Sequence, residues 1–212
     1  MTLRNLIKRL LLAPFAVFRK HQAGGRIALT FDDGPHSLHT AQVSAILKEC
    51  GARATFFLVG ENMLRYPALV NRLREDGHEL ASHSMTHPEM SSLGLRQLAD
   101  EVDKMYTLTL PDGSIPLRNR LFRPPKGVVT LPLVWHCARK GIQLVFWNRD
   151  PEDYKAQGSY EILDYFKADL PQSGDIILLH DKTTHIVAAL PQLLAQLRNL
   201  GLKPVTVSEL LA

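Results

Sequence analysis

Short apolar runs that alternate with amphipathic helical stretches constrain the fold of this chain more than any other feature. Strands are predicted at 27–31, 54–59, 77–83, 121–122, 142–147, 175–179 and 204–207. Helices are predicted at 40–49, 61–76, 93–109, 131–140, 160–170 and 184–200. Repeated strand-then-helix units indicate an α/β protein with a mainly parallel sheet. A chain of 212 residues is long enough for one sizeable core and short for two domains.

Polar residues cluster where several predicted strands end. Asp32 and Asp33 follow the first strand, His83 follows the third, and Asp150 and His180 follow two later strands. In parallel barrels the active site lies at the carboxyl ends of the strands. These residues are therefore the first candidates for a functional site.

The charge distribution argues against a nucleic-acid-binding protein. The first 31 residues contain six of the 25 basic residues and no acidic one, which leaves 19 basic against 21 acidic residues in the remainder. A nucleic-acid-binding domain would show the opposite distribution. The two cysteines, Cys50 and Cys137, are too few for a disulfide framework or a cysteine-built zinc site. They fit a reducing compartment, so we expect a cytoplasmic protein.

Residues 1–24 are predicted to form a basic amphipathic arm that precedes a folded domain at 25–212. Apolar residues follow helical spacing at Leu3, Leu6, Ile7, Leu10, Leu11, Pro14 and Phe18. Three interpretations remain open: a helix packed on the domain, a helix at the cytoplasmic membrane face that makes peripheral contact through residues 3–20, or an uncleaved export signal. The apolar run 10–18 is too short to span a bilayer, and Pro14 would limit one continuous helix.

The strand at 27–31 ends at two adjacent carboxylates, Asp32 and Asp33, and the Gly34-Pro35 pair then turns the chain. Successive side chains at the end of a strand point in different directions. One carboxylate could therefore bind a metal ion while the other accepts a proton. The alternative is an ordinary turn, because aspartate, glycine and proline are all common in turns.

His83 and His87 are candidates for further metal ligands. Two imidazoles four residues apart can reach one ion from a helical turn or a tight loop, although they could also be ordinary polar loop residues. With Asp33 they would supply three protein ligands and leave positions open for water and substrate, as in catalytic sites. Zn²⁺ suits this set, and Co²⁺, Ni²⁺, Mn²⁺ or Fe²⁺ could also fit.

Arg123 lies in a proline-rich stretch, 122–127, that cannot be the interior of a helix. The prolines stiffen a loop that places a fixed cation at the end of a strand. A planar guanidinium there could hold a carboxylate in one orientation. The alternative is a surface arginine in a proline turn.

Two late motifs combine carboxylates with a histidine. The loop 147–154 carries Asp150 and Asp153, which could simply be solvated acidic residues. His180 follows the apolar run 176–179 and could be a buried histidine without a catalytic role. With a carboxylate partner, however, His180 would be a competent general acid.

These residues resemble the polysaccharide deacetylases of the NodB homology type, carbohydrate esterase family 4. The motifs occur in the family's order from Thr30 to Asp181, and the resemblance covers the chain from Arg26 to its end. The stretch 30–35 and the pair His83 and His87 match the family's motifs outright. The fold that this implies is a distorted, incomplete (β/α)7-type barrel.

The resemblance implies a metal-dependent hydrolase that removes an N-acetyl or other small acyl group from an amino sugar in a glycan or a lipid-linked precursor. The implied metal ligands are Asp33, His83 and His87. The implied catalytic residues are Asp32 as general base, Arg123 as its orienting partner, His180 as general acid and Asp153 as the partner of His180. The implied substrate-binding residues are Lys126, Tyr154 and Leu178.

Two positions depart from the family's pattern. Lys126 stands where the third motif commonly ends in an aromatic residue, and Tyr154 stands where the fourth commonly has tryptophan. Both changes affect the sugar-binding groove rather than the chemistry. The sequence therefore does not determine which N-acyl sugar binds there. A non-catalytic carbohydrate-binding relative is the alternative function.

Overall fold

The computed structural model describes residue 12 and residues 14–212. The predicted apolar positions Leu3, Leu6, Ile7, Leu10 and Leu11 lie outside the described residues. Within the described chain the strands are β1 (Ala16–Val17), β2 (Arg26–Asp32), β3 (Thr55–Leu58), β4 (Glu79–Ser82), β5 (Leu121–Phe122), β6 (Gln143–Val145), β7 (Ile176–His180) and β8 (Lys203–Val205).

Helices connect most of these strands, as the sequence predicts. They are α1 (His39–Glu49), α2 (Gly60–Arg65), α3 (Pro67–Glu75), α4 (Leu95–Thr107), α5 (Leu131–Lys140), α6 (Ser159–Ala168), α7 (Thr184–Asn199) and α8 (Val207–Leu211). Two short 3₁₀ helices span Met90–Ser92 and Pro125–Gly127. None of the described helices combines the length and apolarity needed to cross a membrane.

The sheet is parallel and incomplete as a barrel. Its order is β1-β6-β5-β4-β3-β2-β7, and β8 adds to β2. Among the described residues, the two ends of this order are joined only by single bridges, Arg149 with Ile177 and Arg19 with Asp175. The distorted, open (β/α) barrel predicted from the sequence is thus confirmed.

Strand β2 is buried on both of its faces, which explains why its sequence is continuously apolar. Leu29 and Phe31 pack with Leu47 and Leu190 beneath the helices. Ala28, on the opposite face, belongs to the cluster inside the barrel. Successive strand side chains point to opposite faces, so β2 contributes to both layers of the core.

Local capping sets the ends of several elements. Helix α5 begins after Thr130, whose side chain accepts a hydrogen bond from the Leu133 N–H, and ends at Gly141 with φ of 63°. The predicted final strand 204–207 was too long, because Thr206 forms a capping box with Glu209 and so starts α8. The predicted break at Tyr66-Pro67 separates α2 from α3.

The helical spacing predicted for the arm as far as Phe18 is wrong at residues 14–18, whereas Leu12 is helical. Ala16 and Val17 form strand β1, which pairs with β6, and the Phe18 ring stacks on Phe146 at 4.8 Å between centroids. Pro14 cannot continue a helix, and β6 offers an unpaired edge. This part of the arm packs on the sheet, while the boundary at residue 24 and the membrane contact of residues 3–20 stay predictions.

Candidate metal centre and active site

The register of the sheet brings two of the predicted catalytic residues together. Asp32 is paired with His180 at the carboxyl ends of β2 and β7, and Thr30 is paired with Leu178 two residues earlier. Residues two apart in a strand share a face. Leu178 and His180 therefore face the barrel interior beside Asp32, where the sequence predicts the site to be.

Asp33 leaves the strand in the left-handed backbone region, with φ of 72°, so its side chain does not continue the alternation of β2. Gly34 follows in a tight place: a Cβ atom there would lie 2.7 Å from Asp181 Oδ2. The Gly34-Pro35 peptide bond is cis. The Asp-Asp-Gly-Pro stretch therefore forms a turn, as one interpretation predicted. The same turn points the two carboxylates in different directions, as the functional interpretation requires.

The three predicted metal ligands converge. Asp33 Oδ1 lies 3.5 Å from His83 Nε2 and 3.3 Å from His87 Nε2. One ligand atom from each of the three residues lies within 4.8 Å of the others. Two imidazole nitrogens and one carboxylate oxygen are a donor set that divalent transition metals accept.

His83 is oriented for this role by a backbone partner. It is buried, and its Nδ1 lies 2.7 Å from the carbonyl oxygen of Arg123. A carbonyl only accepts, so Nδ1 carries the proton and the Nε2 lone pair faces Asp33. The residues present therefore fit a divalent metal.

The electrostatics of the metal-free cluster favour the ligating protonation states of Asp33 and His87. Burial alone would raise the pKa of Asp33, but hydrogen bonds and charges from His83, when its Nε2 also carries a proton, and from Lys182 outweigh burial and hold that pKa well below its ordinary range. Burial, followed by the charge of His83, lowers the pKa of His87. An ionised carboxylate and a neutral imidazole are the forms that bind metal.

Arg123 is fully buried and holds Asp32 by one oxygen. Its Nη1 lies 2.7 Å from Asp32 Oδ1 and 2.7 Å from Thr30 Oγ1, and its other nitrogens donate to the carbonyls of Val145 and Phe146. Asp32 Oδ2 lies 3.7 Å from His83 Nε2 and accepts no hydrogen bond from the described residues. One oxygen of the predicted base is anchored and the other is available.

His180 is held by Asp153 through two contacts. Asp153 Oδ1 lies 2.8 Å from His180 Nδ1, and Asp153 Oδ2 accepts the backbone N–H of His180 at 2.8 Å. Burial opposes protonation, but the hydrogen bond and charge of Asp153 outweigh it and raise the pKa of His180. Because this pairing occupies Nδ1, the other ring nitrogen of His180, Nε2, is available to transfer a proton.

The three predicted substrate-binding residues lie at different depths. Leu178 is buried, whereas Tyr154 is exposed and meets the His180 ring edge-on at 5.3 Å between centroids. Lys126 is exposed on the loop after Arg123, in the left-handed region, and its Nζ lies 3.2 Å from Glu89. Tyr154 therefore contacts the predicted acid.

Sequence reasoning missed two neighbours of the site. Lys182 Nζ lies 2.9 Å from Asp33 Oδ2. Asp181 is fully buried beneath Gly34, accepts a hydrogen bond from Thr40, and burial raises its pKa to about 7. Both directly follow His180, so proximity to a predicted catalytic residue was the only signal that could have marked them.

Comparison with known proteins supports one family. A family model described as polysaccharide deacetylase matches residues 19–145. The chain is 36% identical over 193 residues to a peptidoglycan-N-acetylglucosamine deacetylase of Bacillus cereus, covering 87% of each chain. It is 35% identical to a chitooligosaccharide deacetylase of Sinorhizobium fredii, over 73% of this chain and 71% of that one.

A solved structure agrees with these relatives. It is a family 4 carbohydrate esterase from Streptomyces lividans in complex with acetate, which is 31% identical with a TM-score of 0.80, over 88% of this chain and 94% of that one. The family model spans more than half of the present chain and includes Asp32, Asp33, His83, His87 and Arg123. The protein is therefore a member of the polysaccharide deacetylase family, carbohydrate esterase family 4.

Proposed function

We propose that this protein is a zinc-dependent deacetylase that removes the N-acetyl group from N-acetylglucosamine units of peptidoglycan or of a chitin-type oligosaccharide. The observation that carries the proposal is the convergence of the Asp33, His83 and His87 ligand atoms beside the register-paired Asp32 and His180. The named relatives act on such N-acetylated glycans.

Asp33, His83 and His87 would hold the metal. When bound, Zn²⁺ supplies a Lewis acid for the amide carbonyl and lowers the pKa of a water molecule. Two imidazoles and one carboxylate are a ligand set that suits zinc, which is why we name this ion.

Asp32 is the proposed general base. Its Oδ2 takes a proton from the water that attacks the acetyl carbon, while Arg123 holds Oδ1. Because the guanidinium is fixed by two backbone carbonyls and Thr30, the carboxylate does not need to reorganise during the reaction. The backbone N–H near Lys126 is the proposed donor to the developing oxyanion.

His180 is the proposed general acid. Asp153 binds its Nδ1–H, so the second proton of the imidazolium lies on Nε2, from which it passes to the nitrogen of the leaving amine. The C–N bond breaks, and acetate and a free amino sugar are released. Leu178 and Tyr154 would line the space for the acetyl group and the sugar.

The experiment measures bound metal in the purified protein and acetate release from N-acetylated chitin oligomers and peptidoglycan, with and without chelator. We expect chelator-sensitive release, loss of both metal and activity in His83→Ala, and loss of activity with metal retained in Asp32→Asn. Equal metal loss in both variants would show that the two aspartates are wrongly assigned. Glycan binding without turnover, unaffected by Asp32→Asn, would favour the non-catalytic alternative.

We propose in addition that the protein works in the cytoplasm at the membrane face, where its substrate would be a lipid-linked precursor of such a glycan rather than the assembled polymer; the basis for this proposal is the basic N-terminal segment. Arg19 pairs with Asp175 at 3.2 Å, and Lys20 and Arg26 donate to backbone carbonyls near the C-terminus. Membrane contact would therefore depend on Arg4, Lys8 and Arg9. Unchanged binding of the Arg4→Ala, Lys8→Ala and Arg9→Ala triple variant to anionic vesicles would refute it.

A further inference from the structure

Lys182 contacts the predicted metal ligand Asp33 from the side opposite the two imidazoles. Its Nζ lies 2.9 Å from Oδ2, whereas Oδ1 faces His83 and His87. Among the described residues Asp33 is the only carboxylate within 4.0 Å of this ammonium group. The lysine is half-buried, so water screens its charge only in part.

We propose that Lys182 is a positioning residue that shares the Asp33 carboxylate with the bound metal, which weakens metal affinity and accelerates the chemical step. This inference rests on the proposed function. A metal held by Asp33, whose Oδ1 faces the two imidazoles, would compete with the ammonium at Oδ2 for the charge of one carboxylate. The same positive charge favours any negative charge that develops on the substrate nearby.

Two opposing effects decide the sign of the change in metal affinity. Removing a group that orients a metal ligand usually lowers affinity. Here, however, the orientation of Asp33 has other supports: its left-handed backbone conformation and the hydrogen bond of 2.9 Å from Asn62 Nδ2 to its carbonyl. Loss of the repulsive charge should therefore dominate, and neutralising Lys182 should tighten metal binding.

Lys155 provides a matched control. Its Nζ lies 5.3 Å from the centroid of the Tyr154 ring, and Lys182 Nζ lies 6.0 Å from the same centroid. Unlike Lys182, Lys155 is paired with Glu152 at 2.7 Å. Replacing Lys155 thus removes a lysine from the same rim without touching Asp33.

The experiment measures Zn²⁺ affinity by competition with a chromophoric chelator, using the full-length metal-free protein, together with kcat and KM on an N-acetylated chitin oligomer. We expect Lys182→Met to bind Zn²⁺ about tenfold more tightly, with kcat lowered about tenfold and KM little changed. Lys182→Arg keeps the charge and should restore both values. Lys155→Met should bind Zn²⁺ with the affinity of the parent.

Tighter Zn²⁺ binding together with a lower kcat distinguishes charge sharing from misfolding, because a variant that merely disturbs folding would lower both metal affinity and kcat. Zn²⁺ affinity that is unchanged or weaker in Lys182→Met, or equally tightened in Lys155→Met, overturns the inference. If Lys182→Met fails to fold, as judged by circular dichroism, Lys182→Gln takes its place. Should the parent release no acetate while Lys182→Met still binds Zn²⁺ more tightly, the proposed function fails and charge sharing at Asp33 stands.

Discussion

Two buried Arg–Asp pairs in this protein have the same composition and different surroundings. Arg123 and Asp32 lie at the carboxyl ends of the strands, in the proposed active site. Arg149 and Asp175 lie outside the proposed catalytic set, where the chain after β6 meets the start of β7. All four side chains are buried.

The difference lies in how many hydrogen bonds each carboxylate accepts. Asp175 uses both oxygens: Oδ1 accepts from Asn148 Nδ2 at 2.7 Å, and Oδ2 accepts from Arg149 and from the Gln172 N–H at 2.9 Å. Asp32 accepts from Arg123 through Oδ1, and among the described residues no donor is bonded to Oδ2.

A carboxylate with both oxygens bonded connects parts of the fold, whereas one with a single anchored oxygen can accept a proton. Burial and ion pairing alone therefore do not identify a catalytic aspartate, because both pairs have them. The unfilled hydrogen-bonding position is the feature that separates Asp32 from Asp175.

The sharpest test of this difference is the activity of matched substitutions. Asp32→Asn should lower kcat by about 10²–10⁴-fold, because an amide cannot accept the proton of water as a base does. Asp175→Asn should leave kcat per folded molecule unchanged. Acetate release, normalised to the folded fraction, measures both variants, and equal losses would remove the distinction.

The effect on the free energy of unfolding should be larger for Asp175→Asn than for Asp32→Asn, which reverses the order expected for kcat. Asp175→Asn places an amide NH₂ where a donor already points, and it leaves Arg149 without its buried counter-charge. We expect the free energy of unfolding to fall by about 3–5 kcal/mol, measured by urea denaturation. A loss below about 1 kcal/mol would show that Asp169, which also pairs with Arg149, already compensates the guanidinium.

Asp153 offers an intermediate case, since both of its oxygens are bonded but both bonds go to His180. Asp153→Asn should lower kcat/KM by about 10–100-fold. Asp153 raises the pKa of His180, and a general acid works only while protonated. Removing that charge should therefore move the alkaline limb of the kcat/KM profile to lower pH. An unmoved limb would mean that another group supplies the proton.

The smallest effect is expected at the rim of the site. Lys126 and Glu89 form an exposed ion pair, which water screens. Lys126→Ala should leave kcat and urea stability unchanged and alter only KM for the glycan, because the proposed backbone donor remains. A large fall in kcat would show that the Lys126 side chain itself acts on the substrate.

Much of the fold was predictable because its signals are local. Periodicity predicts α7, where Ile186, Leu190, Leu193 and Leu197 are buried at helical spacing. The apolar run of β2 and the carboxylates that end it predict where the site lies, since parallel strands end at a common edge. The arm was less predictable, because strand β1 exists only through its pairing with β6.

Within the site, predictability differs from residue to residue. His83 and His87 are recognisable from their spacing, whereas the residues alone left Asp150 and Asp153 as equal candidates to pair with a histidine. The structure brings Asp153 to His180, while burial raises the pKa of Asp150. No local pattern predicts that choice, because it depends on how the loop after β6 folds over the end of β7.

The amino-acid sequence by itself determined the alternation of strands and helices, the turn after β2 and the kinds of side chain at each strand end, because these follow from short-range periodicity and backbone preference. Only the tertiary structure decided which oxygen of Asp32 is anchored, that Lys182 shares Asp33, and that Asp175 is saturated. Apart from the bond from the Gln172 N–H to Asp175, each of these contacts joins residues at least 26 positions apart, so it arises only when the sheet is assembled.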